Sequence, residues 1–257
     1  MHVLLEYPVL FCAAVFAMLW GGIELGRRLA GRSVEEPTRT SAGDGAVFAV
    51  LGLLLAFTFS GATTRFDHRR DLIVAEANAI GTAYLRIDLV AADAQPAMRD
   101  TFLRYARARV ETYARVGDPR EFKAALARSA TLQQKIWQDA VAAGARADAR
   151  PAVNTVLLPA LNEMIDITAT RALAMLMHPP LAIYAMLFGL VLIGAVLIGF
   201  GMGPGRRNWL QMVSFAVTMA ITLYLIVDLE YPRLGLIDVA EFERATVALT
   251  RLDPAVS

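Results

Sequence analysis

Histidine is the side chain best suited to metal binding or proton transfer near neutral pH, and the sequence contains three of them. His68 follows the second of four apolar segments and His178 precedes the third, so we expect both imidazoles at one membrane face, near Asp67. A protein metal site normally needs three or four ligands. A metal or proton-sensing site at His68 and His178 is therefore a hypothesis that we rank below a structural role for two interfacial histidines.

Residue patterns that identify enzymes are absent from the sequence. There is no Gly-x-Ser-x-Gly nucleophile turn, no His-Glu-x-x-His zinc motif and no phosphate-binding glycine loop. Glu24, Asp228 and Glu230 are acidic residues that lie at the ends of apolar segments, where we expect solvated carboxylates. The single cysteine, Cys12, rules out an intrachain disulfide and a cysteine metal site. We predict that the protein is not an enzyme and uses no cofactor or metal.

The second apolar segment carries the most informative spacing. Ala49, Leu53 and Phe57 recur every fourth residue, and Ser60 and Thr64 continue on a similar helix face. This stripe of five residues changes from apolar to small polar side chains toward the charged part of the chain. Such a stripe is typical of helix packing and also suits a pore lining. Periodicity alone favours ordinary packing.

Four segments without Asp, Glu, Lys or Arg must position these residues, at 7–23, 45–64, 179–205 and 208–227. Of the 257 residues, 56% are hydrophobic and only 19% are charged, and the mean hydropathy is +0.47. A helix of about 20 apolar residues crosses a bilayer core of about 30 Å, and each segment is close to that length. The sequence therefore predicts an all-α integral membrane protein with four transmembrane helices.

Charge is concentrated between the second and third segments. The sequence has 25 basic and 24 acidic residues, and 29 of these lie between Arg65 and Arg171, so an ordered helical domain is expected there. The net charge of +1 offers no basis for binding nucleic acid. No proline interrupts the chain from Leu51 to Arg86, and the second membrane helix should therefore continue into this domain. We predict a first transmembrane hairpin at 1–64, the helical domain at 65–178, a second hairpin at 179–230 and a C-terminal segment at 231–257.

Local signals divide the helical domain further. Apolar residues recur at helical spacing over 99–116, which predicts an amphipathic helix that buries, among others, Phe102 and Leu103. The run Asp118-Pro119-Arg120-Glu121 predicts the start of a new helix, because aspartate caps helices and proline suits the first turn. Pro159 should kink or interrupt the next helix, which begins near residue 151.

The run Leu-Gly-Leu-Leu-Leu-Ala-Phe at 51–57, followed by Arg-Phe-Asp-His-Arg-Arg at 65–70 and by Asn78, resembles the second-helix signature of the bestrophin family of ion channels. An Arg-Phe pair follows Phe57 by eight residues, and Asn78 follows Arg65 by thirteen. Residues 178–184 and 228–242 are similar to the family's segments before the third and after the fourth membrane helix. The bacterial bestrophin-like group is the most similar part of the family.

The resemblance implies a homopentameric channel of the inner cell membrane, in which copies of the second helix line one axial pore. The implied activity is passive conduction of small monovalent ions, with anions such as chloride the expected class. The implied partners are the lipid bilayer, further copies of the chain and the permeant ions. The implied site residues are Ala49, Leu53 and Phe57 in the pore neck, Ser60 and Thr64 in its continuation, and Arg65, Phe66, Arg69 and Asn78 at the membrane junction.

The sequence departs from the family pattern in places. Arg233-Leu234-Gly235-Leu236 stands where the family has an acidic calcium-binding stretch, so calcium gating is not expected. Arginines in the short loops would place both hairpin turns in the cytoplasm, whereas the resemblance places the helical domain there, and we follow the resemblance. Mixed charges at His68, Asp71 and Glu76 leave both signs of permeant ion open.

Two other functions stay open at this point. One is a non-conducting membrane scaffold or stress-response accessory protein that keeps the architecture without a pore. The other, which the sequence favours less, is a membrane enzyme or metal sensor that uses His68 and His178.

Overall fold

The computed structural model describes residues 8–32, 42–115, 118–203 and 207–231, and within these ranges it contains helices and no strands. Four helices are long and apolar enough to cross a membrane: α1, α2, α6 and α7. The prediction of an all-α membrane protein with four transmembrane helices is confirmed. The helices are α1 (Pro8–Ala30), α2 (Ala42–Leu85), α3 (Gln95–Ala114), α4 (Pro119–Gly144), α5 (Leu158–Leu176), α6 (Leu181–Met202) and α7 (Trp209–Glu230).

Helix α2 has 44 residues, far more than a membrane crossing requires. At 1.5 Å per residue it is about 66 Å long, roughly twice the thickness of a bilayer core. Gly61 and Gly81 do not break it, because an interior glycine costs a helix only about 1 kcal/mol. The prediction that the second membrane helix continues into the charged region is therefore confirmed.

The chain divides into two compact units. In the part of the chain that the structure describes, the membrane unit comprises α1, α2 as far as Phe66, α6 and α7. The helical unit comprises the rest of α2 from Asp67 together with α3, α4 and α5.

In the membrane unit, α1 and α6 approach at glycines. A Cβ atom added to Gly26 would lie 2.8 Å from the backbone nitrogen of Phe200, and one added to Gly199 would lie 2.7 Å from the carbonyl carbon of Ile23. Real Cβ atoms essentially never come within 3.0 Å of another heavy atom in this way. Small residues allow such close backbone approach between membrane helices, where the gain is van der Waals packing. The two glycines therefore determine the spacing of α1 and α6.

The core of the helical unit forms from apolar stripes on each of its helices. Phe102, Ala106 and Tyr113 of α3 are buried, as the helical spacing of this region predicts, and Met98 and Tyr105 of the same helix are buried as well. Helical spacing also predicts burial of the apolar residues of α4 and α5. That prediction is too broad for α4, where Ile136 is buried but Trp137 is only half-buried. Several other residues on the predicted stripes of the three helices are also only half-buried: Leu103, Val110, Phe122, Leu126, Leu132, Ile165 and Met175.

The predicted helix boundaries are confirmed. The Asp118 carboxylate caps α4 by accepting hydrogen bonds from the backbone N–H groups of Arg120 (2.8 Å) and Glu121 (3.3 Å). Pro159 lies in the first turn of α5, and a π-helical turn, Val153–Leu157, comes directly before it. Proline cannot donate the backbone hydrogen bond of a helix interior, so the regular α-helix begins only there.

Candidate functional site

The stripe on α2 lies on an exposed face of the helix. Leu53 and Phe57 are 57% and 69% exposed, and Ala49, Ser60 and Thr64 are exposed as well. The opposite face of α2 is buried, at Leu51, Thr58 and Ala62. Exposure of a large phenylalanine and a leucine on one face of an apolar helix leaves that face available to lipid, to another copy of the chain or to a pore.

The Thr64 hydroxyl of the stripe is partly satisfied within α2. The hydroxyl of Thr64 donates to the backbone oxygen of Ser60 at 2.9 Å, and the neighbouring Thr63 donates to Phe59 at 3.0 Å. A hydroxyl that donates to the preceding turn still keeps its oxygen lone pairs as acceptors. Beyond Phe57 the exposed face of α2 therefore presents polar oxygen atoms next to an apolar surface.

Arg65 follows the stripe and forms an ion pair with Glu230 at the end of α7. Its Nε atom donates to Glu230 Oε1 at 2.6 Å, and the Glu230 side chain is fully buried. His178 adds a contact on the other side, with Nδ1 3.8 Å from Glu230 Oε2, and its ring stacks on that of Tyr231 with centroids 4.5 Å apart. Arg65 thereby joins α2 to α7. Phe66, the next residue predicted for the membrane junction, is half-buried.

The sequence interpretation of Asp228 and Glu230 as solvated helix-end residues was wrong. Both are buried, at 0% and 1% exposure. For Glu230 the reason is that α2 supplies Arg65 and the segment before α6 supplies His178 to the end of α7, and a buried carboxylate is tolerated where a cation pairs with it. Glu24, at the other end of the membrane unit, is closer to the expectation: it is only partly exposed and lies 3.3 Å from Arg207.

In the helical unit, Arg69 is buried against the end of α5. Its guanidinium donates to the backbone oxygens of Ala174 (3.4 Å) and Met177 (3.0 Å). The last carbonyl groups of a helix have no partner within the helix, and a cation there also interacts favourably with the helix dipole. Arg69 therefore attaches α2 to the end of α5, while Asn78, the other residue predicted for the membrane junction in this unit, is exposed.

Glu76 lies at the centre of a buried charged cluster that the sequence analysis missed. Its carboxylate accepts from Arg109 Nε of α3 and from Arg171 Nη1 of α5, each at 2.5 Å. Both guanidinium groups also contact Tyr113: Arg109 donates to its hydroxyl at 2.7 Å, and Arg171 lies 3.5 Å from its ring centroid. Burial alone lowers the pKa of Arg109, but the Glu76 carboxylate, with the side chains of Tyr113 and Tyr105, more than offsets this and holds that pKa above its ordinary value.

A sequence signal for this cluster existed. Arg109 follows Tyr105 by four residues and precedes Tyr113 by four, so it shares their buried face of α3. The sequence analysis took only the apolar residues of this helix as its buried face and therefore left Arg109 out.

His68 and His178 do not form the metal site that was considered. His68 is exposed, and His178 contacts Glu230 and Tyr231. Among the residues that the structure describes, no group of three or more histidine, cysteine, aspartate or glutamate side chains could hold a metal ion.

Comparison with known families identifies the chain. The family model described as the Bestrophin-like domain matches residues 10–241. The chain belongs to the bestrophin-like family. Among curated proteins and among solved structures, no significant match to the chain is found. The bestrophin-like match covers α1 from residue 10 onward and the other six described α-helices in full, including the α2 stripe.

Some of the residues by which the chain resembles the bestrophin family lie outside the residues that the structure describes. Asp228 and Glu230, from the segment after the fourth membrane helix, are the buried carboxylates described above. The rest of this segment lies outside the described residues. It comprises Pro232, the departure from the family pattern at 233–236, and residues 237–242, where the resemblance implies a short helix.

Proposed function

We propose that this bestrophin-like protein is an oligomeric channel that conducts small monovalent ions passively through an axial pore lined by α2. The observation that carries the proposal is the exposed α2 stripe, in which Leu53 and Phe57 project from a helix whose other face is packed. Exposure alone also suits contact with lipid. Family membership favours the pore, because the stripe begins in the segment by which the chain resembles channels.

The chemistry of the stripe suits an apolar neck. Rings of Leu53 and Phe57 side chains around an axis would form a constriction that water leaves readily, and such constrictions gate by dewetting. The positive edges of phenyl rings can also stabilise a partly dehydrated anion. Ser60 and Thr64 would offer oxygen atoms to an ion that leaves the neck.

Arg65 and Arg69 act as supports for the pore helix in this proposal. Each guanidinium is held by an acceptor in its own unit, Arg65 by Glu230 and Arg69 by the backbone oxygens of Ala174 and Met177. Their charges are thus partly neutralised by local contacts, and the contacts hold α2 in place. Chloride is the permeant ion that the family resemblance favours, and the reversal potential in asymmetric sodium chloride will report the sign of the permeant charge.

Oligomeric state is the first test, because an axial pore lined by one helix per chain requires several copies. We expect native mass measurement of the full chain in detergent to give five subunits. In the cell, we expect this oligomer in the inner membrane. A monomer that is stable and folded would contradict the proposed pore, since a single α2 cannot enclose one.

Phe57→Ala tests the neck directly. We expect the purified protein in planar bilayers to pass current, and the substitution to raise the conductance or the open fraction severalfold, because a smaller apolar ring is easier to wet. Phe59→Ala is the matched control, since Phe59 is also exposed, at 44%, but lies about 200° around the helix from Phe57. Silent, well-folded oligomers would favour the non-conducting scaffold, and equal effects of the two substitutions would contradict the assignment of the neck.

A further inference from the structure

Helices α4 and α5 of the helical unit form a groove of about 330 Å³ that is open to solvent and that the proposed channel does not use. The side chains around it are aromatic, aliphatic or amide, and none is charged. They are Ala130, Gln133, Gln134, Trp137, Asn162 and Ile165.

A buried hydrogen-bond network determines how Gln133 is oriented in this groove. The hydroxyl of Thr168 donates to the backbone oxygen of Met164 at 2.9 Å, so its only proton is used. In the contact of 3.0 Å between the two hydroxyls, Tyr105 must therefore be the donor and Thr168 the acceptor. Gln133 Nε2 then donates one proton to Tyr105, at 2.9 Å, and the other to Thr168, at 3.1 Å. Both protons of the Gln133 amide are then used, and its carbonyl oxygen Oε1 is left without a hydrogen-bond partner in this network.

The network keeps this arrangement over the physiological pH range. Burial raises the pKa of the Tyr105 phenol to about 12, so the hydroxyl keeps its proton and remains a donor. In this orientation of the amide, Gln133 Oε1 is an acceptor with no donor among the described residues.

A second acceptor lines the same groove. Asn162 Nδ2 donates to Asp166 Oδ2 at 2.9 Å, which leaves the Asn162 carbonyl oxygen for a ligand. Trp137 and Ile165 supply flat and apolar surface beside the two amides. A ligand that fits must offer N–H donors, present an apolar planar surface and carry no charge, because no charged side chain lines the groove.

We propose that the groove between α4 and α5 binds a small, uncharged, planar molecule with an N–H₂ group, such as an aryl carboxamide or an amino-substituted heterocycle. The N–H₂ group donates to Gln133 Oε1 or to Asn162 Oδ1, and the ring packs against Trp137. The site is independent of the proposed pore, and channel activity is not needed to detect it.

The test uses the full-length protein in detergent, labelled with 5-fluorotryptophan, with benzamide as the probe. The chain has three tryptophans, and Trp20 and Trp209 lie on membrane helices, so their resonances serve as internal controls. The Trp137→Phe variant assigns the third resonance. We expect benzamide to shift the Trp137 resonance saturably, with half-saturation at roughly millimolar concentration for so small a ligand.

Benzoate is the matched probe, because it has nearly the same shape and lacks the N–H donors. We expect it to bind at least about tenfold more weakly, since it would place acceptors against Gln133 Oε1. Equal shifts from both probes would show non-specific apolar contact and overturn the proposal. No shift at the Trp137 resonance up to the solubility limit of benzamide would overturn it as well.

Two variants locate the contact. Gln133→Leu should abolish the difference between benzamide and benzoate, and Tyr105→Phe should weaken benzamide binding severalfold, because it removes the hydroxyl that orients the Gln133 amide. Lys135→Ala, on the exposed side of α4, should leave binding unchanged. If Gln133→Leu fails to fold, the comparison of the two probes on the unmodified protein still decides.

Discussion

Replacing Glu76 by glutamine is expected to lower the free energy of unfolding by about 3–5 kcal/mol, the cost typical of breaking a buried ion pair. Glutamine keeps the shape of the side chain but removes the negative charge that Arg109 and Arg171 share at 2.5 Å. All three side chains are buried, so bulk water cannot take the place of the carboxylate. The loss would be spread over three helices, because Glu76 lies on α2, Arg109 on α3 and Arg171 on α5.

Urea-induced unfolding of the detergent-solubilised protein, followed by circular dichroism, measures this change. The matched control is Asp100→Asn, which removes a carboxylate from an exposed pair with Arg104 at 3.0 Å on α3. An exposed pair contributes about 0–1 kcal/mol, so the control should unfold close to the unmodified protein. A loss for Glu76→Gln no larger than that of the control would show that the cluster does not stabilise the helical unit.

The second large effect is expected for Gly199→Ala in the membrane unit. A methyl group at this position would meet the backbone of Ile23, with the carbonyl carbon 2.7 Å away, and a backbone atom cannot rotate aside as a side chain can. Helices α1 and α6 would have to separate and lose close packing along their contact. Overpacking of this kind costs about 1–3 kcal/mol.

Gly189→Ala provides the comparison on the same helix. A Cβ atom at Gly189 would meet nothing within 4 Å, so alanine should be neutral there, or stabilising by up to about 1 kcal/mol through its higher helix propensity. The thermal unfolding midpoints of the two variants in the same detergent test the difference. Similar midpoints would mean that the approach of α1 and α6 does not depend on glycine.

Much of the architecture could be predicted from the sequence. A bilayer requires about 20 apolar residues per helix, so the positions of α1, α2, α6 and α7 follow from the charge-free segments. The continuation of α2 to Leu85 follows from the absence of proline, and the start of α4 follows from Asp118 and Pro119. These features depend on residues that are close together in the chain.

The α2 stripe shows what helical periodicity can predict and what it cannot. Spacings of three and four residues place Phe57, Ser60 and Thr64 on one side of a helix, and the structure finds that side exposed. The same spacing could not tell an exposed face from a packed one, and sequence periodicity alone had favoured packing. The difference arises because α6 packs on the other side of α2, where a Cβ atom added to Gly194 would lie 3.1 Å from Phe48 and 3.6 Å from Leu51. Leu51 is part of the core of the membrane unit.

The charged residues show where sequence reasoning failed. Arg65 and Glu230 are 165 residues apart in the chain, and Glu76 and Arg171 are 95 apart. Periodicity reports which residues of one helix share a face, but it carries no information on which face of another helix lies opposite. Asp228 and Glu230 were therefore read as solvated, and the buried role of Arg109 was not recognised.

The sequence by itself determined the number and approximate positions of the membrane helices, the long α2 and the family, because bilayer thickness, helix period and a motif with defined spacing all act on neighbouring residues. Only the tertiary structure decided which carboxylates are buried, which glycines determine the distance between α1 and α6, and which atom of the Gln133 amide is left available to a ligand. Those properties depend on contacts between residues far apart in the chain, and the energy of such a contact depends on what surrounds it once water is excluded.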